Sequence, residues 1–272
     1  MTDNDLPADA RERYARHLAL DEVGVAGQRT LLEASVLVVG AGGLGSPVIQ
    51  YLTAMGVGRI GIVDDDVVER SNLNRQVIHG ETDLGRPKVA SAAEFVTDYN
   101  PDVTVEPRQL RFAPDIATDL LDAYDLVVDA SDNLPTRYLI NDACTLAGVP
   151  FVHAAVYRFE GHVTTFTGDG PCYRCLFPTA PPPADRPDCA ADGLLGVLPG
   201  TLGSLEATEA IKLLVGAGEV LDGRLLHYDA LAMETEAVPF NADPECPICG
   251  PDPVIEDVTA VRYEGDCRLP DA

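Results

Sequence analysis

Val36-Leu37-Val38-Val39-Gly40-Ala41-Gly42-Gly43-Leu44-Gly45 is the stretch on which the fold turns. Its first four residues are apolar and mostly β-branched, the make-up of a short strand buried on both faces. A glycine-rich turn follows without a break. Val48, Tyr51, Leu52 and Met55 then recur at i, i+3, i+4 and i+7, which predicts a helix with one buried face. A second apolar run, Arg59 to Val63, delivers Asp64 nineteen positions after Gly45. Strand, glycine turn, helix, strand and acid is the order of a nucleotide-binding βαβ unit. Its glycines let backbone approach the ligand, and its acid can hold ribose hydroxyls. NAD and FAD enzymes use the same device, so the pattern alone names no nucleotide.

Upstream, residues 8–33 look helical and rich in arginine. Downstream of Asp64, residues 65–76 are polar and show little strand or helix pattern. A helix is expected from Arg86-Pro87-Lys88, with Val89, Ala92, Ala93 and Val96 as its apolar stripe and Asn100-Pro101 as its end. A strand over 102–107, a helix over 114–123 and a strand at Leu126-Val127-Val128 follow, the last delivering Asp129 to Asn133. The next helix spans 135–147, with Ile140, Ala143, Cys144 and Ala147 on one face, which makes Cys144 a core thiol. Strands over 151–156 and 161–166 precede an irregular, proline-rich segment over 168–199. A helix is expected over 202–215, with Ala207, Ala210, Ile211 and Leu214 on one side. Short strands are expected at 224–228, 234–238 and 258–263. No internal repeat or linker divides the chain.

The 272 residues suffice for one large α/β domain. The formal charge of -25 argues against nonspecific binding to nucleic acid or to an anionic membrane. No apolar run reaches the length of a membrane span, and the polar start lacks a signal-peptide pattern, so a cytoplasmic location is expected. Lys88 and Lys212 are the only lysines. An acidic surface nearly stripped of lysine resembles the proteins of salt-loving archaea; an ordinary acidic protein is the alternative.

Cys172-Tyr173-Arg174-Cys175 and Cys246-Pro247-Ile248-Cys249 are two C-x-x-C pairs separated by 70 residues. Two such knuckles make a closed, structural tetrahedral zinc site. A redox dithiol is the competing reading, but neither pair opens a thioredoxin-like unit. Cys189 sits in a loop sequence without apolar periodicity and is either a nucleophile or an idle thiol. Cys267, near the tail, is expected to have no task. His17, His79, His153, His162 and His227 show no metal-ligand spacing and are expected to be structural.

Asn72, Arg75 and Lys88 lie in loops expected at the carboxyl edge of the sheet, where doubly wound folds bind ligands. In so acidic a chain, that cationic group fits a triphosphate. Asp132 ends another strand at the same edge, where a carboxylate can hold Mg²⁺ between phosphates. ATP is therefore the expected nucleotide.

With these motifs in place, the chain resembles the ubiquitin-activating-enzyme superfamily in its compact MoeB/ThiF branch, from about Arg13 to Gly250. The resemblance rests on Gly40 to Gly45, Ser71-Asn72-Leu73-Asn74-Arg75-Gln76, Arg86-Pro87-Lys88, Ser131-Asp132-Asn133 with Arg137, and the two cysteine knuckles, all in family order. The acidic surface makes it most similar to the haloarchaeal members. What the resemblance implies is a Rossmann-like doubly wound α/β sheet, parallel in its N-terminal half and extended by antiparallel strands, with a structural zinc site. It implies one adenylation domain over 1–272: N-terminal helices over 1–34, a nucleotide-binding core over 35–167, a crossover loop over 168–200 and a C-terminal part over 201–272 carrying the second zinc knuckle.

Its implied activity is ATP-dependent adenylation of the C-terminal Gly-Gly carboxylate of ubiquitin-like small modifier or sulfur-carrier proteins, serving conjugation and sulfur transfer to molybdopterin or tRNA. Gly42 and Gly43 would line the nucleotide and Asp64 would bind ribose. Asn72, Arg75, Lys88 and Asn133 would surround the phosphates, and Asp132 would coordinate Mg²⁺. Arg16 would reach the partner's ATP across a homodimer, and Cys189 would accept the acyl group as a thioester. Asp65 departs from the family, which carries a bulky residue there. No rhodanese-like domain is recognisable, which implies a separate sulfur donor. Two rivals are a relative that adenylates a small molecule or tRNA modification, and a zinc-scaffolded nucleotide-binding module without activity.

Overall fold

The computed structural model describes residues 6–181 and 192–263. Its centre is one eight-stranded sheet, β1 Ser35–Val39, β2 Arg59–Val63, β3 Thr104–Arg108, β4 Leu126–Asp129, β5 Phe151–Tyr157, β6 Glu160–Phe166, β7 Arg224–Asp229 and β8 Glu234–Pro239. The order across it is β3-β2-β1-β4-β5-β6-β7-β8. Strands β1 to β5 are mutually parallel, and β6, β7 and β8 continue the sheet antiparallel. The doubly wound sheet with an antiparallel extension is thus the one expected.

Why the parallel strands read as unbroken apolar runs is evident from what covers them. Val36, Val38, Ile60, Ile62, Leu126 and Val128 face one core, under α3 Gly24–Glu33, α4 Gly45–Met55, α5 Lys88–Tyr99 and a long helix, α9 Val197–Val215. Leu37, Val39, Val127 and Phe151 face a second core, under α6 Pro114–Leu121, α7 Leu134–Ala147 and the C-terminal segment. With apolar packing on both sides there is no polar face to alternate with. The connection after β2 leads outward to β3, whereas β4 returns to the other side of β1. Loops after β1 and β4 therefore part, and a crevice opens between them at the carboxyl edge.

Several expectations are corrected. The N-terminal helical region is three pieces, α1 Ala8–Arg13, α2 Ala15–Leu18 and α3. Tyr14 turns inward between the first two and its hydroxyl accepts a hydrogen bond from Asn100 Nδ2. On α4, Tyr51 is half exposed, and Ile49 takes its place beside Val48 and Leu52, because sheet, α5 and α9 enclose the helix on the Ile49 side. Ala147 is likewise exposed, in the last turn of α7. Helix α9 starts five residues before the expected Leu202, so part of the presumed crossover loop is helical. Residues 258–263 form no strand. Asp257 accepts from the Thr259 backbone N–H and closes a 3-10 turn, Val258–Ala260, while Val258, Val261 and Tyr263 pack into the second core.

Candidate active site and metal centre

The crevice between the β1 and β4 loops is a cavity of about 300 Å³. Gly42 and Gly43, the acid Asp64, the cations Arg75 and Lys88, and Asp132 with Asn133 all line it. Thus Arg75, Lys88 and Asp132, brought by three separate segments, meet in one place.

Local chemistry explains each position. Gly40 adopts φ +106°, and a Cβ there would lie 2.6 Å from the Ala130 carbonyl oxygen. Only glycine lets the β1 turn pass that close to the β4 loop. The Asp64 carboxylate accepts from the backbone N–H of Ala41 at 2.8 Å and of Asp66 at 2.8 Å. It therefore braces the glycine turn, and a carboxylate has further lone pairs that can accept from hydroxyl donors. His79 Nε2 lies 2.9 Å from the Ala41 carbonyl oxygen, so the backbone of Ala41 is held on both sides, at its N–H by Asp64 and at its C=O by His79. Burial pushes the His79 pKa down, which keeps the ring neutral and able to pair with both that carbonyl and Ser91 Oγ.

Lys88 begins α5, is buried, and places Nζ 2.7 Å from the exposed Asp66 carboxylate. Arg75 donates from Nη1 to the Ser71 carbonyl at 3.0 Å and to Asn74 Oδ1 at 3.1 Å, which folds it over its own loop beside Gly43. Asn133 caps α7 by accepting from Thr136 N–H, and the exposed Asp132 precedes it.

Not every expected residue reaches the cavity. Asn72 accepts from the Glu69 N–H and closes the 3-10 turn Arg70–Asn72; it does not line the wall. Arg16 is exposed on α2, away from the cavity lining. Cys189 and Cys267 lie outside the described residues. Sequence reasoning missed Gln76, Arg111, Phe112 and Pro199, which all line the cavity. Gln76 was signalled by its place beside Arg75; the other three had no local signal, because chain topology alone brings the β3–α6 and α9 segments there.

The second constellation joins Cys172, Cys175, Cys246 and Cys249, with all four sulfurs within 4.8 Å of one another. Cys172 Sγ is 3.5 Å from Cys246 Sγ and 3.9 Å from Cys175 Sγ, and Cys175 Sγ is 3.3 Å from Cys249 Sγ. Four thiolates about 2.3 Å from a tetrahedral ion stand about 3.8 Å apart, so the spacing fits a metal of zinc's size. The hydrogen bond from Cys172 holds the Cys246 thiol well toward thiolate, whereas Cys172 is pushed up and so, by burial first, is Cys249. Four thiolates side by side need a cation among them. Arg174, between the first two cysteines, makes a buried bidentate pair with Asp142 at 2.7 and 2.6 Å and ties the knuckle to α7.

Sheet order, glycine turn and cavity define a nucleotide-binding α/β protein of the doubly wound class. The sequence pattern of the ThiF family matches residues 14–248, and the chain belongs to that family. It is 58% identical over 264 residues to the SAMP-activating enzyme E1 of Haloferax volcanii, covering 97% of each chain. It is 50% identical to the sulfur carrier protein adenylyltransferase of Thermus thermophilus, covering 95% of this chain and 97% of that one. It is 48% identical to the adenylyltransferase and sulfurtransferase MOCS3-1 of Zea mays, covering 98% of this chain but only 58% of that longer one. Among solved structures, Escherichia coli MccB with ATP superposes with a TM-score of 0.75 over 90% of this chain and 76% of that one, at 23% identity, a likeness of fold alone.

Proposed function

We propose that the chain is an ATP-dependent adenylyltransferase acting on the C-terminal Gly-Gly carboxylate of a ubiquitin-like small modifier or sulfur-carrier protein. The observation that carries this reading is the convergence of Arg75, Lys88 and Asp132 on one crevice under the glycine turn. The match to the Haloferax SAMP-activating enzyme E1 across nearly the whole of both chains supports the substrate class.

The carboxylate oxygen attacks the α-phosphorus of ATP, the bond from that phosphorus to the bridging oxygen breaks, and pyrophosphate leaves. Adenylation turns a poor acylating agent into a mixed anhydride with AMP as leaving group. Lys88 and Arg75 hold the phosphates and offset the charge that develops on them, the main kind of stabilisation in such chemistry. Asp132 is the ligand through which Mg²⁺ would bind, and the ion would supply further charge neutralisation there. Gly42 and Gly43 admit the nucleotide, Asp64 receives its ribose, and Asn72 and Asn133 shape the loops on either side. Cys172, Cys175, Cys246 and Cys249 fit Zn²⁺ in a structural role. Arg16, exposed on α2, would complete the partner's site in a cytoplasmic homodimer from a salt-adapted cell. Cys189 would take the acyl group as a thioester, with sulfur arriving from a separate donor for molybdopterin or tRNA thiolation.

Pyrophosphate exchange tests this directly. Labelled pyrophosphate should enter ATP only when a Gly-Gly-tailed modifier is present, and Asp132→Ala should lower exchange about 100-fold or more. Exchange without any modifier protein would instead favour a small-molecule substrate. Cys189→Ser should keep exchange and lose the thioester adduct seen by mass spectrometry.

A further inference from the structure

Asp129, the last residue of β4, is fully buried yet charged. Its Oδ1 accepts from the Ser131 backbone N–H at 3.1 Å and from Ser131 Oγ at 2.6 Å. Its Oδ2 faces His153 Nδ1 at 2.8 Å, across the β4–β5 register that pairs the two residues. Burial pushes the Asp129 pKa up, but the His153 and Ser131 hydrogen bonds and the nearby Arg137 outweigh it and hold the group below its usual range. Burial also pushes His153 down, so its ring is neutral, with the proton on the nitrogen facing the carboxylate. His153 Nε2, buried on the far side, has no partner among the described residues. The ring therefore serves one hydrogen bond.

That bond stands beneath the catalytic loop. Ser131 is clasped from one side by Asp129 and from the other by Arg137 Nη2, which donates to its carbonyl oxygen at 3.1 Å. Asp132 and Asn133 follow directly, and Ala130 is the residue against which Gly40 packs. We propose that His153 is a positioning residue for the adenylation site: by donating to the buried Asp129 carboxylate it fixes the Ser131 turn and so sets where Asp132 meets the metal–nucleotide complex. The proposal rests on the adenylation reading for its consequence, though not for its geometry. Without the donor, the buried carboxylate loses a partner that stabilises its charge and fixes its orientation, and it holds Ser131 less tightly.

The test separates packing from hydrogen bonding with two substitutions in the full-length protein. His153→Phe fills the volume without a donor; His153→Asn keeps a donor near the Nδ1 position and loses volume. Hydrogen exchange, read without nucleotide, should rise about tenfold in peptides over residues 130–133 of His153→Phe, and not over α5. The Mg²⁺ concentration for half-maximal ATP binding should rise about tenfold as well, while His153→Asn stays within about threefold of the parent in both measurements. Equal effects of the two substitutions, unchanged exchange over 130–133, or an unaltered Mg²⁺ requirement would each overturn the proposal. Should His153→Phe fail to fold, His153→Leu, which also lacks a donor, serves instead and must show the same loosening. A parent protein that bound no ATP would sink the adenylation reading, while the nucleotide-free exchange measurement would still decide whether His153 holds the loop.

Discussion

Lys88 is one of two lysines among 44 acidic residues, and it is placed where it is poorly served by its own fold. It stands at the first position of α5, where the helix dipole disfavours a cation. Its side chain is 7% exposed, yet its partner Asp66 is 67% exposed, so the ion pair is largely solvated on one side. Such a pair contributes about 1 kcal/mol or less to stability. An ammonium kept in that position is better suited to a ligand's phosphates than to holding the chain together. Lys88→Met should therefore shift the unfolding midpoint by only a few degrees, while pyrophosphate exchange falls about 100-fold or more. Comparable losses in both would mean that the lysine is a structural residue.

At the level of elements, the edge of the sheet shows how side chains from separate strands combine. Tyr124 lies across β2, where a Cβ on Gly61 would come 2.2 Å from its hydroxyl, so a strand-interior glycine makes room for it. The hydroxyl donates to Glu106 Oε2 at 2.9 Å; Arg108 and Arg59 also bond that carboxylate. Tyr124 first, then the two arginines, hold the Glu106 pKa below its usual value against the opposing effect of burial. A carboxylate depressed in the folded state contributes stability that is present above its unfolded pKa and lost as pH falls through the folded one. Stability of the parent should therefore decline below about pH 4.5. Glu106→Gln should flatten that acid limb in urea titrations at pH 3 to 7; an identical slope in both proteins would refute the assignment.

Periodicity made β1, α4, β2, α5, β4 and α7 legible, because each is long enough to show its buried stripe. The same rule misjudged Tyr51, since three of four stripe positions fit and the fourth depends on which neighbour the helix meets. It also read residues 258–263 as a strand, although both sheet edges are already β3 and β8 and the apolar side chains there fill a core. The place of Arg75, Lys88 and Asp132 at the cavity was legible because β4 delivers Asp132 to a known edge and the long loop after β2 carries Arg75 and Lys88 to the same edge. Phe112 and Pro199, and the facing of His153 on Asp129, were not, because they depend on strand order and register that no local pattern encodes.

For the whole molecule the dominant physical quantity is the charge of -25. Unlike charges do meet: Arg70 with Glu81, Arg86 with Asp83 and Glu94, Lys212 with Glu209. Those pairs are mostly exposed and contribute about 0.2–1 kcal/mol each, whereas the excess carboxylates repel across the whole surface. Raising salt from 0.1 M to 1 M shortens the screening length from about 10 Å to about 3 Å, which removes more repulsion than attraction in a chain so unbalanced. Buried pairs such as Arg174–Asp142 are shielded from the solvent and change little. The unfolding midpoint should therefore rise steadily with KCl over that range. On the proposed reading, in which Arg75 and Lys88 hold the triphosphate, nucleotide binding should respond in the opposite sense, because salt screens that attraction. Opposite slopes in the same titration separate surface repulsion from site attraction; a midpoint that falls as KCl is added would show that the exposed ion pairs, not the net charge, govern the folded state.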